Sequence, residues 1–339
     1  IFQFNFVDDT VSFILLNTVY LTFPFSYFKW NAINRGLSAR GFGLLIGEIY
    51  LYLIFIYLSY DHYLTYLIVC VFGVIFYLGS QFGSQFFILS SLFITIFKLD
   101  LKFVLIPVLS LTLYSFFFKK VAKSYFYGQI NHKRNYLLFF LKTQFKHRKS
   151  FYRDFIYDFW IKFKRKPKQG IKYFLTNPFI EISYGFHYLT VLFILSQASF
   201  KDISNLELIV FSGLFCFVFT TFRITRFLGE AQRYIQFTLP FISIIFVHTL
   251  SISIILSTIF IGLIIIVTYN YINTFKNNKI DAVSFFYKVK NHLKKDYLII
   301  SNDTQLLKVF SAYFQIVSTD WTYYFKNKEE FNFYHPNNY

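Results

Sequence analysis

Residues 43–60, GLLIGEIYLYLIFIYLSY, carry one charged side chain, Glu48, in a stretch that is otherwise almost entirely apolar or aromatic. As a helix this stretch is about 27 Å long, close to the thickness of the hydrocarbon core of a bilayer. Across the chain 55% of residues are hydrophobic and only 15% are charged, which is more apolar than a soluble core of this size requires. The sequence therefore predicts an integral membrane protein.

Eight further apolar runs have the composition of membrane spans. They are 11–28, 62–80, 85–97, 101–118, 187–200, 206–222, 237–251 and 253–270. The shorter runs among them are also compatible with tilted or re-entrant segments. Pro24, Pro107 and Pro240 lie in or beside spans and are expected to kink them. The predicted fold class is an all-α polytopic membrane protein of about nine transmembrane helices.

The chain changes character after the last span. Residues 296–301 (DYLIIS) and 315–319 (QIVST) predict strands, and 277–295 and 302–314 predict helices. The sequence therefore predicts a small α/β segment at the C-terminus. The segment ends before a sheet is complete and the chain begins at Ile1 with no methionine anywhere, which favours a fragment of a longer protein. The 51 Phe and 28 Tyr are typical of an AT-rich genome, so aromatic stripes alone are not taken as sites.

Basic residues set the predicted orientation. Residues 119–177 contain sixteen Lys or Arg and two acidic residues, and such a loop belongs on the cytoplasmic side of the inner membrane. The same threading puts 29–43, 222–234 and the C-terminal tail inside. The predicted domains are a first half of five spans (1–118), a basic cytoplasmic loop (119–186), a second half of four spans (187–270) and a cytoplasmic α/β segment (271–339).

The basic loop contains an amphipathic pattern. In SFYRDFIYDFWIKFKRK (150–166), aromatic residues recur every four positions, at Phe151, Phe155, Phe159 and Phe163. This predicts a helix lying in the headgroup plane, with KFKRKPKQG (162–170) as its flexible exit, broken by Pro167 and Gly170. Nucleic-acid binding is the alternative for mixed basic and aromatic residues. Because anionic headgroups supply the same attraction locally, membrane lipids are the expected partner and nucleic acid is not.

Residues 220–241, TTFRITRFLGEAQRYIQFTLPF, place four charges between two apolar runs. Their spacing of three, four and three puts them on one face of a helix, where Glu230 can pair with Arg226. The alternative is that the arginines only anchor the end of a span. The predicted phosphate-binding set is Arg223, Arg226, Arg233, Arg35 and Arg40, with Glu230 as their orienting group or as a catalytic base.

Two further polar residues lie inside predicted spans. Glu48 is costly to ionise there and is a functional candidate, unless it lies close enough to the interface for hydration. His248 is either a hydrogen-bonded packing residue or a proton relay. Cys70 and Cys216 fall in apolar runs without metal-ligand spacing, so no metal is predicted, and no cofactor motif is found.

The stretches RGLSARGFGLLIGEIY (35–50) and FRITRFLGEAQRYIQF (222–237), with the α/β tail, resemble multi-pass bacterial membrane proteins labelled glycosyltransferase-like or polysaccharide-biosynthesis proteins. The resemblance implies envelope glycan or lipid biosynthesis, with a phosphorylated sugar donor or a polyprenyl-phosphate-linked substrate. The chain has no DxD-like signature of a nucleotide-sugar site. The alternatives are a transporter or flippase, with Glu48 and His248 lining its path, and a non-catalytic subunit of a large membrane complex, with a composition that fits an organelle genome.

Overall fold

The computed structural model describes residues 10–27, 39–135, 155–175, 177–195, 203–222, 225, 228–229, 231–275, 299–301 and 318–320. Contacts divide the chain into two compact units. One comprises residues 1–126 and 151–271, and the other comprises residues 127–150 and 272–339. Helices dominate the first unit, and the candidate site lies in it.

The described residues form thirteen α-helices. They are α1 (Thr10–Leu21), α2 (Ala39–Tyr60), α3 (Tyr63–Gly79), α4 (Gln81–Lys98), α5 (Lys102–Phe117), α6 (Lys119–Asn135), α7 (Phe155–Arg165), α8 (Pro167–Leu175), α9 (Pro178–Gly185), α10 (His187–Leu195), α11 (Asn205–Thr221), α12 (Leu239–Thr249) and α13 (Ile252–Phe275). Two segments are 3₁₀-helical, Pro24–Tyr27 and Ala231–Thr238.

Every predicted apolar run overlaps one of these helices, namely α1 to α5 and α10 to α13. Two described helices are long and apolar enough to cross a membrane, over Gly41–Tyr60 and Ile252–Tyr271. A third crossing results if α9 and α10, which meet at 85°, form one broken span. The chain is therefore a helical protein suited to a membrane, while the count of nine spans stays a prediction.

Small residues let α2 approach its neighbours closely. A Cβ at Gly47 would overlap the Phe237 ring, and one at Gly43 would overlap Ser80 at the start of α4. Phe237 stacks in turn on Phe86 of α4, with ring centroids 3.9 Å apart. Helices in membranes associate through such close packing rather than through the hydrophobic effect. One face of α2 is thereby fixed against α4 and the 3₁₀ segment 231–238.

The three prolines behave differently from one another. Pro107 lies inside α5, as predicted, and its carbonyl accepts a hydrogen bond of 3.1 Å from the Tyr77 hydroxyl. Pro24 begins a 3₁₀ turn and Pro240 lies in the first turn of α12, so the kinks expected at these two positions stay predictions. Proline is tolerated at a helix start, where its missing N–H would have no intrahelical partner.

The predicted amphipathic helix is confirmed as a helix over Phe155–Arg165, but the flexible exit after it is wrong. Pro167 begins a second helix, α8, and Gly170 allows α8 to pack on the backbone of Phe163. The Tyr173 hydroxyl donates to Asp158 at 3.3 Å, and the Lys162 ammonium lies 3.4 Å from the Tyr173 ring centroid. α7 and α8 therefore form a helical hairpin. Pro167 and Gly170, which were expected to break helical structure, both lie in its second helix.

The C-terminal segment is described only at two short strands. β1 (Ile299–Ser301) pairs in parallel with β2 (Ser318–Asp320). β1 lies within the predicted strand 296–301, and β2 overlaps the end of the predicted strand 315–319. The predicted helices 277–295 and 302–314 lie outside the described residues, so the α/β assignment stays a prediction.

Candidate functional site

The single helix face expected for residues 222–234 does not form. α11 ends at residue 221, and Phe222 has extended backbone angles, with φ −65° and ψ 148°. Gly229 has φ +114°, which no right-handed helix contains. The continuous helix over this stretch is therefore wrong. Three of the predicted site residues lie outside the described residues, namely Arg223, Arg226 and Glu230.

The chain instead forms the 3₁₀ segment Ala231–Thr238, in which every residue is buried. Its arginine, Arg233, is only 6% exposed. The expectation that Arg233 faces an open cytoplasmic groove is therefore wrong. The segment packs against α2, α9, α11 and α12. Protein surrounds this polar stretch on several sides, so its buried groups find partners within the bundle.

A buried carboxylate on α9 meets this segment. The Gln232 amide donates a 2.9 Å hydrogen bond to Glu181, and the two side chains are 8% and 4% exposed. α9 begins at Pro178, and the side chain of Asn177 accepts from the amide of Phe179 at 2.9 Å. This cap fixes the start of the helix, and Glu181 lies one turn further along.

The segment also reaches α4. The Tyr234 hydroxyl lies 2.9 Å from both Gln85 Oε1 and the Leu228 carbonyl oxygen. Gln236 is completely buried. We call this group the polar centre, which comprises Gln85, Glu181, Gln232, Arg233, Tyr234 and Gln236. It concentrates hydrogen-bonding groups in an otherwise apolar bundle, where each satisfied pair fixes the relative position of two elements.

A second irregularity lies beside α9. α9 and α10 meet at 85°, and His187 at the break places Nε2 2.8 Å from the Thr258 carbonyl oxygen. The buried Nδ1 of the same ring has no hydrogen-bond partner among the described residues. A Cβ at Gly262 would lie 2.9 Å from the Thr22 carbonyl oxygen and 2.8 Å from the His187 ring, so α13 packs tightly against this break. The Thr22 and Tyr188 hydroxyls are hydrogen-bonded nearby.

Glu48 lies in a different setting, at a cavity of about 370 Å³. The Tyr20 hydroxyl donates to Glu48 at 3.3 Å. The cavity is lined by Tyr20, Leu21, Ser26, Tyr27, Gly41, Leu44, Leu45 and Glu48. His248 is exposed on α12 and is not among the lining residues, so the two predicted intramembrane residues do not share this cavity.

The remaining predicted arginines are only partly placed. Arg40 lies in the first turn of α2, one turn before Leu44 of the cavity wall, and its side chain lies outside the described part of the structure. Arg35 also lies outside the described residues. Arg233 is thus the one member of the predicted phosphate-binding set whose side chain lies within the described part of the structure.

Sequence reasoning missed Glu181, His187 and Gln232. A signal existed in NPFIEISYGFH (177–187), where an Asn-Pro start precedes a carboxylate within an apolar stretch. Glu181 fell within the predicted cytoplasmic loop 119–186, so the rule that singled out Glu48 as an intramembrane carboxylate was not applied to it. No sequence signal identifies Gln232 as its partner.

No protein-family model, curated protein or solved structure matches the chain. The resemblance to membrane proteins of polysaccharide biosynthesis therefore gains no support from a relative. Among the described residues, no group of three His, Cys, Asp or Glu side chains could hold a metal ion. The functional argument rests on the polar centre and on the cavity at Glu48.

Proposed function

We propose that the protein binds a phosphate-bearing lipid or sugar donor, with the polar centre as its membrane-level recognition site. The observation that carries this proposal is the burial of an arginine, a carboxylate and several amide side chains around the 3₁₀ segment in a largely apolar bundle. Broken helices with polar side chains at membrane depth are a recurrent way of building substrate sites. Polar groups placed there at an energetic cost are functional candidates by default.

Arg233 is the phosphate-binding residue in this proposal. A guanidinium makes two parallel charge-assisted hydrogen bonds to a phosphate, a geometry that an ammonium group does not reproduce. Glu181 holds Gln232, the neighbour of Arg233 in the chain, and thereby orients this turn of the segment. The arginines at positions 223 and 226 precede the segment and would extend the positive charge toward the cytoplasm. A polyprenyl-phosphate-linked substrate of envelope glycan synthesis fits this chemistry.

The test compares two ligands that differ only by the phosphate. Purified protein is titrated with a polyprenyl phosphate and with the matching polyprenol, and bound ligand is counted by native mass spectrometry. We expect Arg233→Lys to weaken binding of the phosphate about tenfold or more, while leaving polyprenol binding unchanged. Arg165→Lys, at the exposed end of α7, is the matched control. Equal binding of both ligands by the parent protein would sink the proposal.

A transporter or flippase is the second candidate, favoured by one specific observation. Two discontinuous elements, the α9–α10 break and the 3₁₀ segment, contact each other through α9. Alternating-access proteins place their substrates at such breaks. Movement of a fluorescent phosphate-bearing lipid between the leaflets of proteoliposomes, without its chemical conversion, would favour transport over transfer.

The proposal includes the predicted topology: nine spans, with residues 119–177 and the C-terminal α/β segment on the cytoplasmic side of the inner membrane. Single cysteines at Asn135 and Ile203 are labelled from either side of the membrane. The native Cys70 and Cys216 are buried and contribute little background. Labelling of position 135 from outside would show that the predicted orientation is wrong.

The α7–α8 hairpin is proposed to lie on the membrane surface. Ile156, Tyr157 and Trp160 are exposed on α7, whereas the Phe159 ring packs against Phe174 of α8. Trp160 therefore reports on lipid contact better than the phenylalanines do. With Trp30 and Trp321 replaced by Phe, we expect brominated anionic lipids to quench Trp160 fluorescence, and quenching should weaken at high salt. Fluorescence that is indifferent to brominated lipid would refute surface binding.

A further inference from the structure

The cavity at Glu48 has the composition of a cation site rather than an anion site. Glu48 lies within the candidate span Gly41–Tyr60, and its one hydrogen bond to the described residues comes from Tyr20 at a long 3.3 Å. A carboxylate accepts several hydrogen bonds, so most of its capacity faces the cavity. A positive partner stabilises the ionised form of a carboxyl group in an apolar bundle, where its charge is otherwise costly.

The size of the cavity and the residues of its walls limit which kind of cation can bind there. A volume of about 370 Å³ lies within the range of small-molecule sites and far exceeds the space that a proton or a bare metal ion needs. Two tyrosines, Tyr20 and Tyr27, line it, and aromatic rings attract cations through their faces. The leucines Leu21, Leu44 and Leu45 supply apolar wall for a hydrocarbon portion. A metal ion is disfavoured because Glu48 is the only carboxylate among the lining residues.

The cavity is separate from the polar centre. Gly41, Leu44, Leu45 and Glu48 recur at three- and four-residue intervals, so they lie on one face of α2. Gly47 lies about 100° around the helix from Glu48, and it packs against Phe237 of the 3₁₀ segment. No residue of that segment lines the cavity.

We propose that this cavity binds the ammonium group of an amine, with the Glu48 carboxylate as its counter-ion, the tyrosine rings beside it and the leucines around its carbon chain. The shared chemistry fits two sources, the ethanolamine headgroup of a lipid and a free alkylamine. The proposal does not depend on phosphate binding at the polar centre, because the group that is recognised is an ammonium and none of the residues lining the cavity belongs to that centre.

The test uses the full-length protein in nanodiscs of phosphatidylglycerol, which contains no amine. Calorimetric titration with n-octylammonium and with n-octanol, each after subtraction of the same titration into empty phosphatidylglycerol nanodiscs, separates ammonium recognition by the parent protein from attraction to the anionic lipid. We expect the amine to bind about tenfold or more tightly than the alcohol. Equal binding of amine and alcohol would overturn the proposal without reference to any variant.

The variants then assign the site. Glu48→Gln keeps the shape of the side chain and should abolish the preference for the amine. Asp61→Asn is the matched control, since it removes one exposed carboxylate just beyond the other end of α2, at a position with φ 48° that asparagine tolerates. Retention of the preference in Glu48→Gln, or its loss in Asp61→Asn, would contradict the assignment.

Competition identifies the source of the amine. Displacement of n-octylammonium by added phosphatidylethanolamine indicates a lipid headgroup. Displacement by free ethanolamine, with the lipid inactive, indicates a soluble amine. If neither displaces the probe, the ammonium assignment is wrong.

Discussion

Glu181 and Glu48 are both carboxylates on apolar helices, and their surroundings differ in every respect. Glu181 is 4% exposed, accepts a 2.9 Å hydrogen bond from Gln232 and lies where α9 meets the 3₁₀ segment. Glu48 is half-buried, accepts one long hydrogen bond from Tyr20 and lines a cavity. The first carboxylate holds two pieces of the protein together, whereas the second has room for a ligand.

Burial alone therefore does not define a binding site in this protein. A carboxylate that a neighbour satisfies contributes to the stability of the fold, and its removal leaves the neighbour without a partner. A carboxylate beside empty volume contributes little to the fold and retains its capacity for a ligand. Stability measurements therefore separate the two roles before any substrate is known.

Replacement of Glu181 should have the largest effect on stability. Glu181→Ala leaves the buried Gln232 amide without its acceptor and opens a void, so we expect a loss of roughly 2–4 kcal/mol. Glu48→Ala should cost less than about 1 kcal/mol, because that side chain lies at an existing cavity. Thermal denaturation of both variants in the same detergent gives the comparison.

Glu181→Gln is the control for this pair, since it keeps the shape of the side chain and an acceptor oxygen for Gln232. Its denaturation midpoint should lie between those of the parent and Glu181→Ala. A Glu48→Ala protein as unstable as Glu181→Ala would show that both carboxylates are structural, and would remove the contrast between them.

Gly262→Ala should have the next largest effect, and it probes the packing of the α9–α10 break. The added methyl group would meet the Thr22 backbone and the His187 ring, and overpacking of this kind costs about 1–3 kcal/mol. Gly128→Ala in α6 is the matched control, because a Cβ there has no neighbour within 4 Å. That change should be neutral or stabilise by about 0.5–1 kcal/mol. Denaturation midpoints that move equally would indicate a loosely packed break.

The positions of α1 to α5, α7 and α10 to α13 followed from the sequence. Apolar runs such as 43–60 and 253–270 contain helices because backbone polar groups in an apolar environment need internal partners. The hairpin beyond Pro167 was missed because proline was taken as a breaker, although it is equally suited to the first turn of a helix.

The polar centre could not be predicted in the same way. Residues 231–238 include Arg233 and two glutamines, and this composition is typical of a solvent-exposed loop. Their burial depends on a partner 51 residues earlier in the chain, Glu181, and on the close approach of α2 at Gly47. Both are tertiary contacts, which the local pattern of residues does not encode. Glu48 was identified because the cost of an intramembrane charge is a local property.

The smallest expected effects come from two tyrosines, Tyr234 in the polar centre and Tyr20 at the cavity beside Glu48. Tyr234 is fully buried and its hydroxyl lies 2.9 Å from Gln85 Oε1, so Tyr234→Phe leaves a partly buried acceptor without this donor and should cost about 1 kcal/mol. Tyr20→Phe removes one long hydrogen bond to Glu48 at the cavity and should cost less than about 0.5 kcal/mol. Thermal denaturation of the two variants beside the parent measures both costs under one condition.

Tyr20→Phe also keeps the aromatic ring and the carboxylate, so its binding of n-octylammonium should be preserved. If Tyr20→Phe destabilises the protein as much as Tyr234→Phe does, then Glu48 depends on Tyr20 as Glu181 depends on Gln232, and the cavity carboxylate has the same structural role.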